Sequence, residues 1–126
     1  MVQKILLIGL GGGIGAVLRH SAITLLHRFY KNPLPIGTIA VNLTGCFLIG
    51  LLWGFSEKFS IPLNARIFIF VGILGGFTTF SSYGIETFNL LRGQDYLLAF
   101  TNFALSNFFG IALVFLGFYL SRASLN

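Results

Sequence analysis

Four stretches of this sequence, residues 4–26, 36–55, 66–91 and 97–120, are each long and apolar enough to cross a bilayer, whose hydrocarbon core takes about 20 apolar residues of helix. That feature narrows the fold more than any other. In hydrocarbon every backbone amide must find its partner within the protein, which leaves only helices and closed barrels. With 56% hydrophobic and 9% charged residues among 126, a soluble domain of this size could not hide its apolar surface. The expected fold is an all-α membrane protein, a single domain over residues 1–126 with four transmembrane helices.

A cleaved leader would show a basic start, an uninterrupted apolar core and a small-residue cleavage site. Here Lys4 stands alone and Arg19 and His20 follow GLGGGIGAVL, so the first stretch is expected to remain as a helix. The connections HRFYKNPLP, SEKFSIPLNA and RGQD are short, and no internal repeat or low-complexity run occurs. Function must then reside inside the membrane. Cys46 is the only cysteine; an intrachain disulfide is excluded, and its place in the second span marks it as small packing filler. No catalytic constellation or metal-ligand cluster emerges, so an enzyme is not expected. A net charge of +5, with no run of Lys or Arg longer than one, is too thin for a nucleic-acid surface and supports only a mild preference for anions.

Orientation in a membrane follows the Lys and Arg residues near span ends. One side collects Lys4, Lys58, Arg66 and Arg122, and the other Arg19, Arg28, Lys31 and Arg92. Four against four gives no bias. Such a chain either inserts both ways, so that opposed copies pair about an axis in the membrane plane, or is oriented by other means.

Several residues are ones that a lipid-facing helix would not choose. In the first span Gly9 with Gly13, and Gly11 with Gly15, form small-xxx-small pairs that admit another helix backbone. Gly11, Gly13 and Ala16 also fit a dinucleotide fingerprint, but no strand precedes them, and that reading fails. Arg19 lies several residues inside the same helix, where a permanent charge marks either a snorkelling side chain or a water-filled cavity. His20 and His27 have no partner at ligand spacing. In the second span Asn42 shares a face with Thr38, Gly45 and Cys46, as interhelical glue or as a pore-lining donor, while Trp53 fits the aromatic belt at the membrane surface. In the fourth span Asn102, Ser106, Asn107 and Gly110 fall within less than half the helix circumference, a polar stripe that points to a wet path.

The third span is the least regular. It opens as RIFIFVGIL and then runs GGFTTFSSYG. Gly75 and Gly76 suit a left-handed helix end, and Ser81 or Ser82 suits the N-cap of a second helix. The expectation is two half-helices with a break over residues 75–81, tolerated in a bilayer only where it is buried in protein or lines a cavity. Such a break frees carbonyls at one half-helix end and N–H groups at the other, suited to a cation and an anion. An ordinary kink, relieved by hydroxyls bonding back to the helix, is the competing reading. Phe80 and Tyr83 place an aromatic patch beside the break, and the positive ring edge could touch an anion weakly enough to release it. Glu86 and Thr87 continue the polar face, Glu86 either as a proton-linked site or as an acceptor that holds a hydroxyl or amide in place.

Taken together, GGGIGAVLRH, GTIAVNLTG, GGFTTFSSYGIET and a fourth span containing NFFG closely resemble the Fluc (CrcB) family of bacterial fluoride channels. The resemblance covers nearly the whole chain. It implies an antiparallel, dual-topology homodimer in the cytoplasmic (inner) membrane, two fluoride pathways, and a central sodium ion that is structural and not transported. It implies passive expulsion of fluoride that enters as HF and ionises inside. It places the sodium ligands on the Gly75 and Thr78 carbonyls, makes Asn42 a pore donor, Phe80 a ring met edge-on by fluoride, and Arg19 a vestibule charge. With the polar side chains singled out above, the anion's route is expected to pass Asn42, Thr79, Phe80, Ser81, Tyr83, Glu86 and Asn107. Two positions depart from the family pattern. Tyr83 stands where relatives commonly have a second phenylalanine, and Ile111 follows Gly110 where serine or threonine is frequent.

Three functions therefore compete: a passive fluoride channel, a proton-coupled exporter of the small multidrug type, and a non-conducting assembly subunit. The exporter class needs a carboxylate in the first span, and this chain has none there.

Overall fold

The computed structural model of the protein describes residues 1–124, and every regular element in it is helical. Four helical spans, Val2–Phe29, Ile36–Lys58, Leu63–Arg92 and Tyr96–Ala123, are long and apolar enough to cross a membrane. We label the first two α1 and α2. The third span is divided into α3, residues 63–77, and α4, Phe80–Arg92; the fourth is α5, Tyr96–Ala123. Each helix outruns its apolar stretch by a few residues. Arg28, Lys58, Arg92 and Arg122 occupy last turns, where a cation faces the free carbonyls and favours continuing the helix to that point.

The connections are set by local chemistry. Asn32 Oδ1 accepts the Leu34 amide at 3.0 Å, and Pro35 and Pro62 stand immediately before α2 and α3, where a missing N–H costs nothing. Between α4 and α5 the turn closes through Gln94, which takes a left-handed φ of 62°.

Two glycine seams hold the spans together. Between lipid-exposed helices little hydrophobic force is gained by association, so close backbone contact must supply the attraction. At the first seam Gly11 and Gly15 of α1 meet Gly72 and Gly76 of α3: a Cβ on Gly15 would overlap the Ile73 carbonyl oxygen, and one on Gly76 would lie 3.0 Å from Gly12 Cα. The second seam joins α2 to α5. There Gly50 faces the Val114 backbone, Gly54 the Ser121 hydroxyl and Gly117 the Phe47 carbonyl; Ser121 is fully buried and donates to the Phe118 carbonyl at 2.6 Å. Of the two glycine pairs expected in α1, only Gly11 and Gly15 pack, since Gly9 and Gly13 have nothing within 4 Å. Trp53 does more than mark the membrane surface. Its ring meets Phe70 edge-on at 5.8 Å, and the Arg66 guanidinium lies over it at 5.3 Å.

Two segments depart from α-helical winding inside the membrane. Ile67–Leu74 of α3 and Leu105–Phe109 of α5 form wide π-helical turns, a geometry rare in helices and often found near functional sites.

Candidate functional site

The third span is interrupted at two residues. Thr78 and Thr79 are extended, with φ, ψ of −85°, 157° and −149°, 116°, while Gly75–Phe77 on one side and Phe80 on the other remain helical. The break is thus shorter than the expected 75–81. Gly75 is right-handed, and no glycine has a positive φ, so the glycines do not end the helix by a left-handed turn. Gly76 is needed for lack of a side chain against α1, whereas a Cβ on Gly75 would meet only the Phe70 carbonyl oxygen, at 3.8 Å. The N-cap also moves: Thr79, in place of Ser81 or Ser82, caps α4, its Oγ1 accepting the Ser82 amide at 3.2 Å and donating to Ser82 Oγ at 3.0 Å.

What breaks the helix is a side chain from α2. Asn42 Nδ2 donates to the Thr79 carbonyl at 2.9 Å, and Asn42 Oδ1 accepts the Thr79 amide at 2.7 Å. The Thr79 amide is the group that in a continuous α-helix would bond back to the Gly75 carbonyl, so Asn42 both satisfies the extended peptide and frees the Gly75 oxygen. From α1, Arg19 Nη1 donates to the Thr78 carbonyl at 3.1 Å. Arg19 is therefore anchored on the break and does not snorkel. Thr78 turns its own hydroxyl back to the Leu74 carbonyl at 3.0 Å. The break and the hydroxyl relief of a kink thus coexist in this segment.

The break forms one wall of an open cavity of about 350 Å³ between α2, α3, α4 and α5. Of the residues read from the sequence as site candidates, Asn42, Gly75, Thr78, Thr79, Phe80, Tyr83 and Asn107 line it together. Phe80 is 80% exposed, an unpacked ring at the centre of a membrane span, with the Tyr83 ring 5.4 Å away at a tilt of 53°. Cys46, expected as filler, also lines this cavity, and its Sγ would lie 3.4 Å from a Cβ on Gly110.

Three candidates stand outside that lining. Ser81 is exposed, with its Oγ 3.4 Å from Thr79 Oγ1. Arg19 lies behind the break, on the Thr78 carbonyl. Glu86, farther along α4, accepts the Thr38 hydroxyl on Oε1 at 2.6 Å, while its buried Oε2 has no partner.

The polar stripe of α5 divides into two parts. Asn102 is fully buried, donating to Thr87 Oγ1 at 2.9 Å and accepting Ser106 Oγ at 3.4 Å, so it belongs to a helix contact and not to a wet path. Ser106 and Asn107, on the wide turn, do reach the cavity. Asn107 Nδ2 donates both to the Tyr83 hydroxyl at 3.0 Å and to the Phe103 carbonyl at 2.8 Å. The apolar lining from Ile49, Phe70 and Leu74 was not singled out by the sequence, because their spacing is that of any buried helix face.

Comparison with known proteins places this architecture. Residues 6–118 match the family model described as CrcB-like protein, Camphor Resistance (CrcB). The chain is 40% identical over 119 residues to the fluoride-specific ion channel FluC of Parabacteroides distasonis, covering 94% of this chain and 93% of that protein. It is 40% identical over 121 residues to the FluC of Desulfotalea psychrophila, covering 96% and 94%, and 41% identical over 123 residues to that of Azobacteroides pseudotrichonymphae, covering 97% and 98%.

Proposed function

The chain belongs to the CrcB-like protein family, and from that premise we propose that it is a fluoride-specific ion channel, not an enzyme, of the bacterial cytoplasmic membrane, releasing cytoplasmic fluoride down its gradient. The observation that carries this reading is the clamped break at Thr78 and Thr79, opening onto a mid-membrane cavity beside the bare ring of Phe80. Non-helical backbone at that depth is tolerable only against protein or water, and a largely apolar cavity that offers amide and hydroxyl groups but no carboxylate suits an anion.

The geometry divides the task. Arg19 supplies a fixed positive charge behind the break, which lowers the cost of bringing an anion into the span. Asn42, with one N–H committed to Thr79, keeps a second amide hydrogen for the cavity. The edge of Phe80 offers a weak, positive contact that lets an ion leave again. The route runs past Asn42, Thr79, Phe80, Ser81, Tyr83 and Asn107, with Glu86 fixing Thr38 at its margin.

An exposed aromatic ring and an open cavity make half a pore. We assign the other half to a second, inverted copy of the same chain, as the four-against-four charge count allows, giving an antiparallel, dual-topology homodimer. The Gly75 carbonyl, released from its helical partner, and the Thr78 carbonyl are hard neutral oxygens of the kind that hold alkali or alkaline-earth cations. Two from each copy would enclose a structural sodium ion on the dimer axis. The fit holds at Gly75, which is open to the cavity; at Thr78 the oxygen also serves Arg19, leaving its second lone pair. When bound, such an ion would neutralise the facing carbonyl dipoles and join the two copies.

A proton-coupled exporter is not favoured: no carboxylate lies in the first span, and Glu86 is engaged with Thr38. The test is efflux from proteoliposomes followed with a fluoride electrode. Fluoride should leave electrogenically while chloride scarcely passes, and equal flux of the two halides would defeat the proposal, as would silence of the protein reconstituted alone.

A further inference from the structure

Tyr83 adds to the cavity a group that Phe80 lacks, and the hydrogen bonds around it fix what that group can do. A phenol has one O–H to donate and lone pairs to accept with. The Tyr83 oxygen accepts from Asn107 Nδ2 at 3.0 Å, and among the described residues no acceptor is paired with its O–H. Asn107 in turn spends its amide on two partners, the Tyr83 oxygen and the Phe103 carbonyl, so both of its hydrogens are used within the protein. The wide turn Leu105–Phe109 is what carries Asn107 to this position. Both side chains line the same cavity, and the one polar hydrogen that the pair leaves uncommitted is that of the phenol.

We infer that the Tyr83 hydroxyl donates a hydrogen bond to the permeating anion, with Asn107 as the positioning residue that turns the phenol so that its hydrogen faces the cavity. This deepens the fluoride-channel reading and rests on it. The arrangement adds an O–H donor to the weak ring-edge contact of Phe80, and hydrogen bonds to charged groups are stronger than those to neutral ones. The smallest halide, with its charge most concentrated, gains most from such a donor, so Tyr83 sharpens preference for fluoride over chloride. It also holds the ion more firmly, and firmer holding slows release.

The test uses full-length protein in proteoliposomes, with the initial rate of fluoride efflux measured against internal fluoride concentration. Tyr83→Phe removes one oxygen and keeps the ring. It should raise the half-saturating concentration roughly tenfold, the loss expected of one hydrogen bond to an ion, with an unchanged or higher maximal rate and a larger relative chloride flux. Asn107→Ala should move half-saturation in the same direction, and combining it with Tyr83→Phe should add nothing beyond twofold. Should Asn107→Ala fail to elute as the wild type does, Asn107→Leu, which keeps the bulk and lacks both amide hydrogens without adding a charge, takes its place. A half-saturation in Tyr83→Phe less than about threefold above wild type overturns the inference, and so do effects of the two substitutions that multiply. Absence of fluoride efflux from the wild type would instead defeat the channel reading itself.

Discussion

Asn42 pairs with Thr79 much as one strand pairs with another, its amide meeting both the N–H and the C=O of a single residue at 2.7 and 2.9 Å. Thr79 is buried, 8% exposed, so water does not stand ready to replace either bond. Each unsatisfied buried polar group costs about 1–3 kcal/mol. Asn42→Ala should therefore lower the thermal midpoint of the detergent-solubilised protein markedly and abolish ion flux with it. Wild-type melting in that variant would show that the break needs no clamp.

Glu86 separates channel from carrier. Glu86→Gln keeps an oxygen for the Thr38 hydroxyl, now 2.6 Å from Oε1, and should retain most of the fluoride efflux. Thr38→Val instead strips the carboxylate of its partner beside an Oε2 that already has none, and should be the more damaging change. Reconstituted efflux rates decide the matter: loss of transport in Glu86→Gln alone would favour proton coupling.

The α1–α3 seam makes a contrast between neighbouring glycines. A methyl group on Gly15 would overlap the Ile73 carbonyl and lie 2.8 Å from the Phe77 amide nitrogen, whereas one on Gly13 meets nothing within 4 Å of the protomer. Overpacking of backbone costs roughly 1–3 kcal/mol. Thermal melting should show Gly15→Ala destabilised by about that amount and Gly13→Ala still folded as the wild type, with any effect of the latter confined to assembly.

Phe80→Ile tests the ring edge. The substitution preserves an apolar side chain at a position 80% exposed in the protomer and removes the positive edge. Fluoride efflux should fall to near background while the elution volume of the assembled protein stays put. Undiminished efflux would mean that bulk, not ring electrostatics, matters there.

The four spans were legible because they depend on composition alone. So was the site of the interruption, since GGFTTFSSYG has no reason to exist in a lipid-facing helix. Its form was not. Gly75 and Gly76 look locally like a helix end, yet Gly76 is needed for its lack of bulk against α1, Gly75 faces open space, and the residue that ends the helix is Asn42, 37 positions away. No local rule could anticipate that, nor that Thr79 would cap in place of Ser81 or Ser82. Asn102, Ser106 and Asn107 were placed on one arc by an α-helical count, and Ser106 does stay bonded to Asn102, but Asn102 is buried against Thr87 while Asn107, on the wide turn at Leu105–Phe109, reaches Tyr83.

Losing a residue from an ordinary helix rotates everything downstream by about 100°, which in this fold would swing a whole seam away from its neighbour. At Leu105–Phe109 the winding already carries a surplus. A deletion there would tighten the turn and leave Gly110, Gly117 and Ser121 still facing α2. The fourth span thus has a joint where its length can change without misaligning the rest of the molecule.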